Sequence, residues 1–352
     1  MMSEFRIDQI KSQDASRGPD VAGITTFTGT SGIVMPSGDT AYRGGRGRGV
    51  LAGGNDAPGS SYVNTIDYVT IATIGNATDF GDLPTNNSDM GGFASSTHGF
   101  FAGGLSPTVL STITRITTSS TGNAFNFGEL DSTYWGGGGL SNATRGIYGG
   151  GRDPSASPYT TKIQYFNLAS GGKSSFFGNL SSDGITKGTC ASTTRGIFFN
   201  GQEDSPVGRR NIIEYITIST LGNGQDFGDS QVAKSRCDGL SNTVRGVFGG
   251  GYLDGSPASV STNIIDYITI ASIGDAIDFG DLTQHRYNAS GCCTSTRGIF
   301  MGGLEATAPT YPRVVTIDYV TIMTTGNATD FGDLTDGRAI GCAVSDSHGG
   351  LG

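Results

Sequence analysis

Charge, histidine and long apolar runs are what this sequence has least of. Asp, Glu, Lys and Arg make up 15% of its 352 residues, too few for a chain kept disordered by its own charge. No stretch approaches the roughly 20 apolar residues of a membrane-crossing helix, so no membrane insertion is expected. The N-terminal MMSEFRIDQIKSQD carries charges of both signs and lacks the apolar core of a secretory signal, which predicts a soluble product made in a cytoplasm. With 22 Lys and Arg against 31 Asp and Glu, the net charge of −9 leaves no surplus of cations for phosphate neutralisation, and no nucleic acid partner is expected. The one basic cluster, Arg43, Arg46 and Arg48, is short and lies among glycines, and it reads as a flexible lead-in to the folded domain. Three histidines, and five cysteines without paired CxxC spacings, offer neither a zinc site nor a disulfide framework, so no metal and no cofactor are expected.

Glycine, by contrast, is abundant at 59 residues, which points to many short strands joined by tight turns. A repeat organises them. RGVFGGG at Arg245 recurs as RGVLAGG from Arg48, HGFFAGG from His98, RGIYGGG from Arg145, RGIFFNG from Arg195 and RGIFMGG from Arg297, with a degenerate HGGLG from His348. Successive copies start 50, 47, 50, 50, 52 and 51 residues apart. A second motif keeps phase with the first: TIDYVTIATIGNATDFGDL from Thr65 returns from Thr112, Lys162, Ile212, Ile264 and Thr316, most diverged in the copy at Lys162. Cys190, Cys292 and Cys342 fall at nearly the same place in three repeats, where a small buried side chain is wanted.

Each unit parses into four strands by alternation and turn chemistry. In the copy near residue 300, these are Ser290 to Ser295, Ile299 to Gly303, Val314 to Ile322 and Thr329 to Leu334, with Gly-Asn supplying the last tight turn. About 50 residues holding four strands match one blade of a β-propeller. Bulky positions such as Tyr68, Ile71 and Phe80 then form the core between blades. The first unit begins at its second strand, while Ala339 to Ser347 aligns with a first strand and has nothing after it but HGGLG. The expectation is therefore all-β: a six-bladed propeller over residues 46–352 whose C-terminal strand completes the first blade, preceded by a short arm over residues 1–45 with a β element at Ile24 to Met35.

The order of a GG-ended strand, an aromatic strand and a later turn resembles the kelch pattern, with the Phe of DFG standing where kelch units usually place a Trp. More specifically, RGIFMGG at 297–303 and IDYVTIMTTGNATDFGDL at 317–334 resemble the kelch-like units of structural proteins from marine and cyanobacterial tailed bacteriophages. The stretch FRIDQIKSQDASRGPDVAGITTFTGTSGIVMPSGDT, residues 5–40, is similar to the leader on such virion proteins that precedes tail-fibre or other appendage modules. The resemblance implies a non-enzymatic virion structural protein of the tail, baseplate or fibre. A head-decoration or purely architectural subunit is the alternative, and a polysaccharide-degrading propeller enzyme a third. It also implies a homo-oligomer within the particle and docking on other virion subunits through the arm.

Several motifs lose their chemistry in this setting. DFGD at Asp79, Asp226, Asp278 and Asp330 recurs once per repeat, so it is packing and not a magnesium-binding kinase loop. GGKS at Gly171 lacks the upstream glycine of a phosphate-binding loop. His98 and His348 replace the repeat's Arg, too few with His285 for a copper centre, and the single Trp135 excludes a sialidase pattern. No catalytic residue is assigned. Arg48, Arg145, Arg195, Arg245 and Arg297 form a ring expected to bond to neighbouring turns or to be neutralised by Asp82, Glu129, Asp229, Asp281 and Asp333. What varies from unit to unit is the loop after the second strand, and binding residues favour such loops over a rigid scaffold. Tyr62, Tyr159, Arg209, Arg210, Tyr252, Tyr311 and Arg313 are the candidate contacts, with a host surface glycan or receptor, or another virion subunit, as partner.

Overall fold

The structure, a computed structural model, describes residues 47–351 apart from 57–60, 155–158, 186–187, 205–206, 255–259 and 307–310. The expected N-terminal arm, residues 1–45, lies outside the described residues. Among the described residues the chain is all-β, with one 3-10 turn at Gly349–Leu351 and no α-helix.

Six sheets, each built on four antiparallel strands, carry the repeats, and Gly172–Lys173 adds a short parallel edge to the second of them. Sheet I orders Cys342–Ser345, Arg48–Ala52, Thr65–Thr70 and Thr78–Asp82; sheet II orders Gly91–Ala94, His98–Ala102, Thr112–Thr117 and Phe125–Glu129. Sheet III follows with Gly138–Ser141, Arg145–Gly149, Lys162–Asn167 and Ser175–Asn179, and sheet IV with Gly188–Ala191, Arg195–Asp204, Val207–Thr217 and Gln225–Asp229. Sheet V comprises Asp238–Ser241, Arg245–Gly249, Ile264–Thr269 and Ile277–Asp281, and sheet VI Ser290–Cys293, Arg297–Met301, Thr316–Thr321 and Thr329–Asp333. In sheet I the first strand comes from the far end of the chain, with Gly49 opposite Ser345 and Ala52 opposite Cys342.

Successive side chains of a strand point to opposite faces, and here both faces are apolar because each sheet packs between two others. Ile66, Phe80 and Val50 of sheet I meet Phe101 and Ile116 of sheet II. Val69, Ile71 and Leu51, on the other face, meet Ile299, Ile317 and Phe331 of sheet VI. Equivalent layers fill sheets II and III around Phe100 and Phe166, III and IV around Ile163 and Phe198, IV and V around Phe227 and Ile268, and V and VI around Phe279 and Val320. The tightest ring contact, Phe199 on Phe248, stacks at 3.9 Å and 10°. Each fully buried Ile, Val or Phe side chain contributes about 1.5–3 kcal/mol.

Backbone bonds cross the same interfaces and explain the Gly-Asn motif. In the turn of sheet II, Gly122 N–H donates to Phe80 O at 2.7 Å and Ala124 N–H to Asp82 O at 2.8 Å, while Asn123 Oδ1 accepts from Asp82 N–H at 3.0 Å. The set recurs with Asn223 on sheet III, Asp275 on sheet IV, Asn327 on sheet V and Asn76 on sheet VI. The glycine of DFGD lies at a bulge: Gly81 has φ 143°, and a Cβ there would sit 2.6 Å from the backbone of Gly122. The Phe before it, at 80, 227, 279 and 331, is buried.

The ring of arginines departs from one expectation. It pairs with none of Asp82, Glu129, Asp229, Asp281 or Asp333. Instead, each guanidinium lies over a Tyr of its own sheet, 4.5 Å for Arg48 on Tyr68 and 4.1 Å for Arg245 on Tyr267, and donates to a carbonyl of the next sheet. Arg48 reaches Thr118 O, Arg145 Ile218 O, Arg195 Ile270 O, Arg245 Ile322 O and Arg297 Ile71 O. Those carboxylates end the outer fourth strands, exposed or half-buried, where a surface ion pair gains little over a bond to an orphan carbonyl. In sheet II, where His98 holds the Arg position, the cation moves to Arg115 over Phe125 and Phe127.

The loop at Gln202 to Asn211 is also not a loop. It continues as a hairpin, pairing Gly201 with Arg210 and Gln202 with Arg209.

Candidate functional site

The linkers between sheets and the loops after second strands share one face and are sewn together. Asn55 bridges Ala339, Ser88 bridges Leu105, Trp135 bridges Arg152, Ile185 bridges Gln202 and Tyr287 bridges Leu304, while Lys234–Ser235 pairs with Tyr252–Leu253. Each linker thus joins the loop of the sheet that follows it, which makes a platform of the variable segments.

Four of the seven candidate residues converge there and a fifth, Tyr62, joins them through Asn55. Arg209 forms an ion pair with Asp254 and lies 4.6 Å over the ring of Tyr252, which packs 4.6 Å from Tyr287. Tyr311 and Arg313 act electrostatically on Tyr287, and Tyr311 is 41% exposed. Arg313 donates to Asn55 Oδ1, across from sheet VI to the loop of sheet I, where Tyr62 bridges the same Asn55. Arg210 instead pairs with Glu203 of its own hairpin, and among the described residues no contact joins Tyr159 to the cluster. Tyr287, at the cluster's centre, was not among the candidates, because it lies in a linker and not in a loop after a second strand.

Below this face the first strands of all six sheets surround a cavity of about 140 Å3. Gly91, Gly92, Gly137 to Gly139, Ala94 and Ala191 leave it open, and all five cysteines line it. Burial pushes every one of those thiols up, which leaves them unreactive. Among the described residues its mouth is a circle of linker residues at positive φ, Asp89 at 54°, Gly136 at 70°, Arg236 at 60°, Asn288 at 54° and Ile340 at 60°, the equivalent position before sheet IV lying outside them. Backbone bonds run around this circle, Gly136 N–H to Asp89 O, Asp89 N–H to Ile340 O, Ile340 N–H to Asn288 O and Asn288 N–H to Arg236 O, at 2.8–3.1 Å. At the opposite end the tail folds in: His348 Nε2 lies 3.1 Å from Ala94 O and 3.3 Å from Ser141 Oγ, and burial pulls its pKa down.

Buried ion pairs hold three linkers in place, and the sequence reading missed them. Arg338 pairs with Asp67 of sheet I, Lys234 with Asp266 of sheet V at 2.9 Å and Arg286 with Asp318 of sheet VI at 2.9 Å. The signal was present: the equivalent linker position is Asn87 before Thr114 and Tyr134 before Gln164, so a cation stands only where the next third strand carries Asp.

Two mouth carboxylates titrate high. Burial raises Asp89 to about 6 against the opposing pull of Arg236 and Ser88, and raises Asp238 to about 7 although the N–H groups of Gly291 and Gly239 bond it. Between roughly pH 4 and 7 the folded chain therefore holds a proton at Asp238 that the unfolded chain releases, so this residue's contribution to stability falls as pH rises. Thermal unfolding at pH 5 and pH 8 checks this: Asp238→Asn should raise the midpoint at pH 8 relative to that at pH 5. An unchanged gap between the two would contradict it.

Comparison with known proteins adds no relative: no protein-family description matches the chain, and no curated protein matches it.

Proposed function

We propose that the six sheets are the blades of a kelch-like β-propeller and that the chain is a non-enzymatic virion structural protein of a tail, baseplate or fibre, displaying its loop face for attachment. The ring is supported by six apolar layers that lead from sheet I through sheet VI back to sheet I, and by the C-terminal strand seated in sheet I. Attachment is carried by one observation above the rest. In an acidic chain, the loop face gathers Arg209, Arg313 and Arg236 around Tyr252, Tyr287 and Tyr311, the mixture of planar cation and aromatic surface that stacks on sugar rings or a protein edge. The arm at residues 1–45 would anchor the propeller to its neighbours in the particle.

Purified particles carrying this gene provide the test. Antibodies against residues 304–315 should bind intact particles and block adsorption to the host. Tyr311→Ala with Arg313→Ala should reduce adsorption at least about tenfold, as loss of central contacts does elsewhere, while the purified chain, short of the Arg313 bond to Asn55, still unfolds cooperatively with a modestly lower midpoint. Absence of the chain from purified particles, or adsorption unaffected by both antibody and substitutions, would refute the reading.

A further inference from the structure

The mouth of the central cavity carries polar groups that the fold does not use. Asn288 is 8% exposed and its Nδ2 has no hydrogen-bond partner, and the buried Nε of Arg236 has none either, although both residues line the cavity. A buried donor without an acceptor is costly, and because an unpaired Nε recurs on other arginines of the chain, it is the Asn288 amide that calls for an acceptor from outside. Asp89 offers the complementary acceptor on the same circle, within the field of Arg236.

The fold does not demand these side chains. All stand at positive φ, and the equivalent position before sheet III is filled by Gly136 at φ 70°, the residue that adopts this conformation freely. Arg236 and Ile340 are there in spite of the backbone. Among the described residues of the circle charge is balanced, one Arg against Asp89, while the oxygens of Asp238 already accept from Gly239 and Gly291. An ion of either sign therefore gains little, and a neutral molecule that both donates and accepts hydrogen bonds gains most. Among the described residues no group of three His, Cys, Asp or Glu side chains is placed to hold a metal ion. About 140 Å3 is close to the roughly 150 Å3 that accommodates a single benzene ring, so a larger six-membered ring with its substituents enters only in part and is held at the mouth. Outside the cavity lining, the ring of Tyr287 lies 6.0 Å from the guanidinium of Arg236 and packs on Tyr252.

We propose that this mouth binds one neutral pyranose, the terminal sugar of a glycan, with Arg236 and Asn288 donating to its oxygens and Asp89 accepting from its hydroxyls. The inference deepens the attachment reading by naming the ligand class, and rests on it only for the biological setting. Titration calorimetry of the full chain with glucose, galactose, mannose and N-acetylglucosamine tests it. At least one sugar should saturate with a millimolar Kd. Arg236→Gly and Asn288→Gly, which the backbone accommodates, should weaken that sugar more than tenfold with an unchanged or raised thermal midpoint, and sodium sulfate should not compete. No saturation by any of the four up to about 100 mM, equal binding by the glycine variants, or displacement by sulfate would overturn the proposal. Adsorption that persists in the Tyr311→Ala, Arg313→Ala particle while sugar binding is intact would overturn the attachment reading and leave this one standing.

Discussion

Arg286→Ala should lower the unfolding free energy by about 3–5 kcal/mol, the loss expected when one partner of a buried ion pair is removed. The side chain is fully buried and does three things at once. It pairs with Asp318 at 2.9 Å, donates to Phe300 O at 3.2 Å and donates to Thr316 O at 3.1 Å. Alanine would strand the Asp318 charge, which Thr283 alone cannot offset with its bonds at 2.6 and 3.1 Å. The control is the double replacement Arg286→Leu with Asp318→Leu, which removes both charges and should cost less than Arg286→Ala alone. Urea unfolding of the three chains measures the difference. A single variant within about 1 kcal/mol of wild type would mean that water reaches this pair.

Deleting residues 342–352 should abolish the cooperatively folded monomer. The deletion removes the first strand of sheet I, with Cys342 and Val344 from the layer between sheets I and II, and the bonds of Ser345 Oγ to Cys293 O and of Gly47 N–H to Asp346 Oδ1. It also bares the edge of Arg48–Ala52, a template for pairing with another chain, so aggregation is the expected product. Deleting only residues 348–352 keeps the strand and forfeits the contacts of His348, a loss of about 1–3 kcal/mol that leaves the fold intact. Circular dichroism melts and size-exclusion chromatography separate the two outcomes. A soluble, cooperatively melting chain ending at Gly341 would show that sheet I does not depend on the far end of the sequence.

The repeat was legible because one solution to packing a twisted four-stranded sheet is written several times. RG opens the second strand, DFGD bulges the fourth, and Gly-Asn both turns the chain and docks it on the previous sheet. What stayed hidden lies between units. The partner of Asp318 is Arg286, in the linker before its own repeat, and only an alignment of linkers against the following third strands brings such pairs into register. The mouth circle was hidden for a different reason: Asp89, Arg236, Asn288 and Ile340 share a conformation and no chemistry, so nothing in residue type marks them. The hairpin at 195–217 was obscured because Glu203, Asp204, Pro206, Arg209 and Arg210 read as loop composition, whereas backbone pairing is indifferent to exposed charge.

Closure is the claim on which the faces, the cavity and its mouth all depend. Pulsed electron-spin distance measurements can test it with labels at equivalent exposed turn positions, since the five native cysteines are buried. With one label at Ile74 of sheet I, the second is placed at Thr121 of sheet II, Leu221 of sheet IV or Thr325 of sheet VI. A closed circle predicts that the distance from 74 to 325 matches that from 74 to 121, and that the distance from 74 to 221 is the longest. Distances that lengthen steadily from 121 to 221 to 325 would describe an open stack and contradict the account.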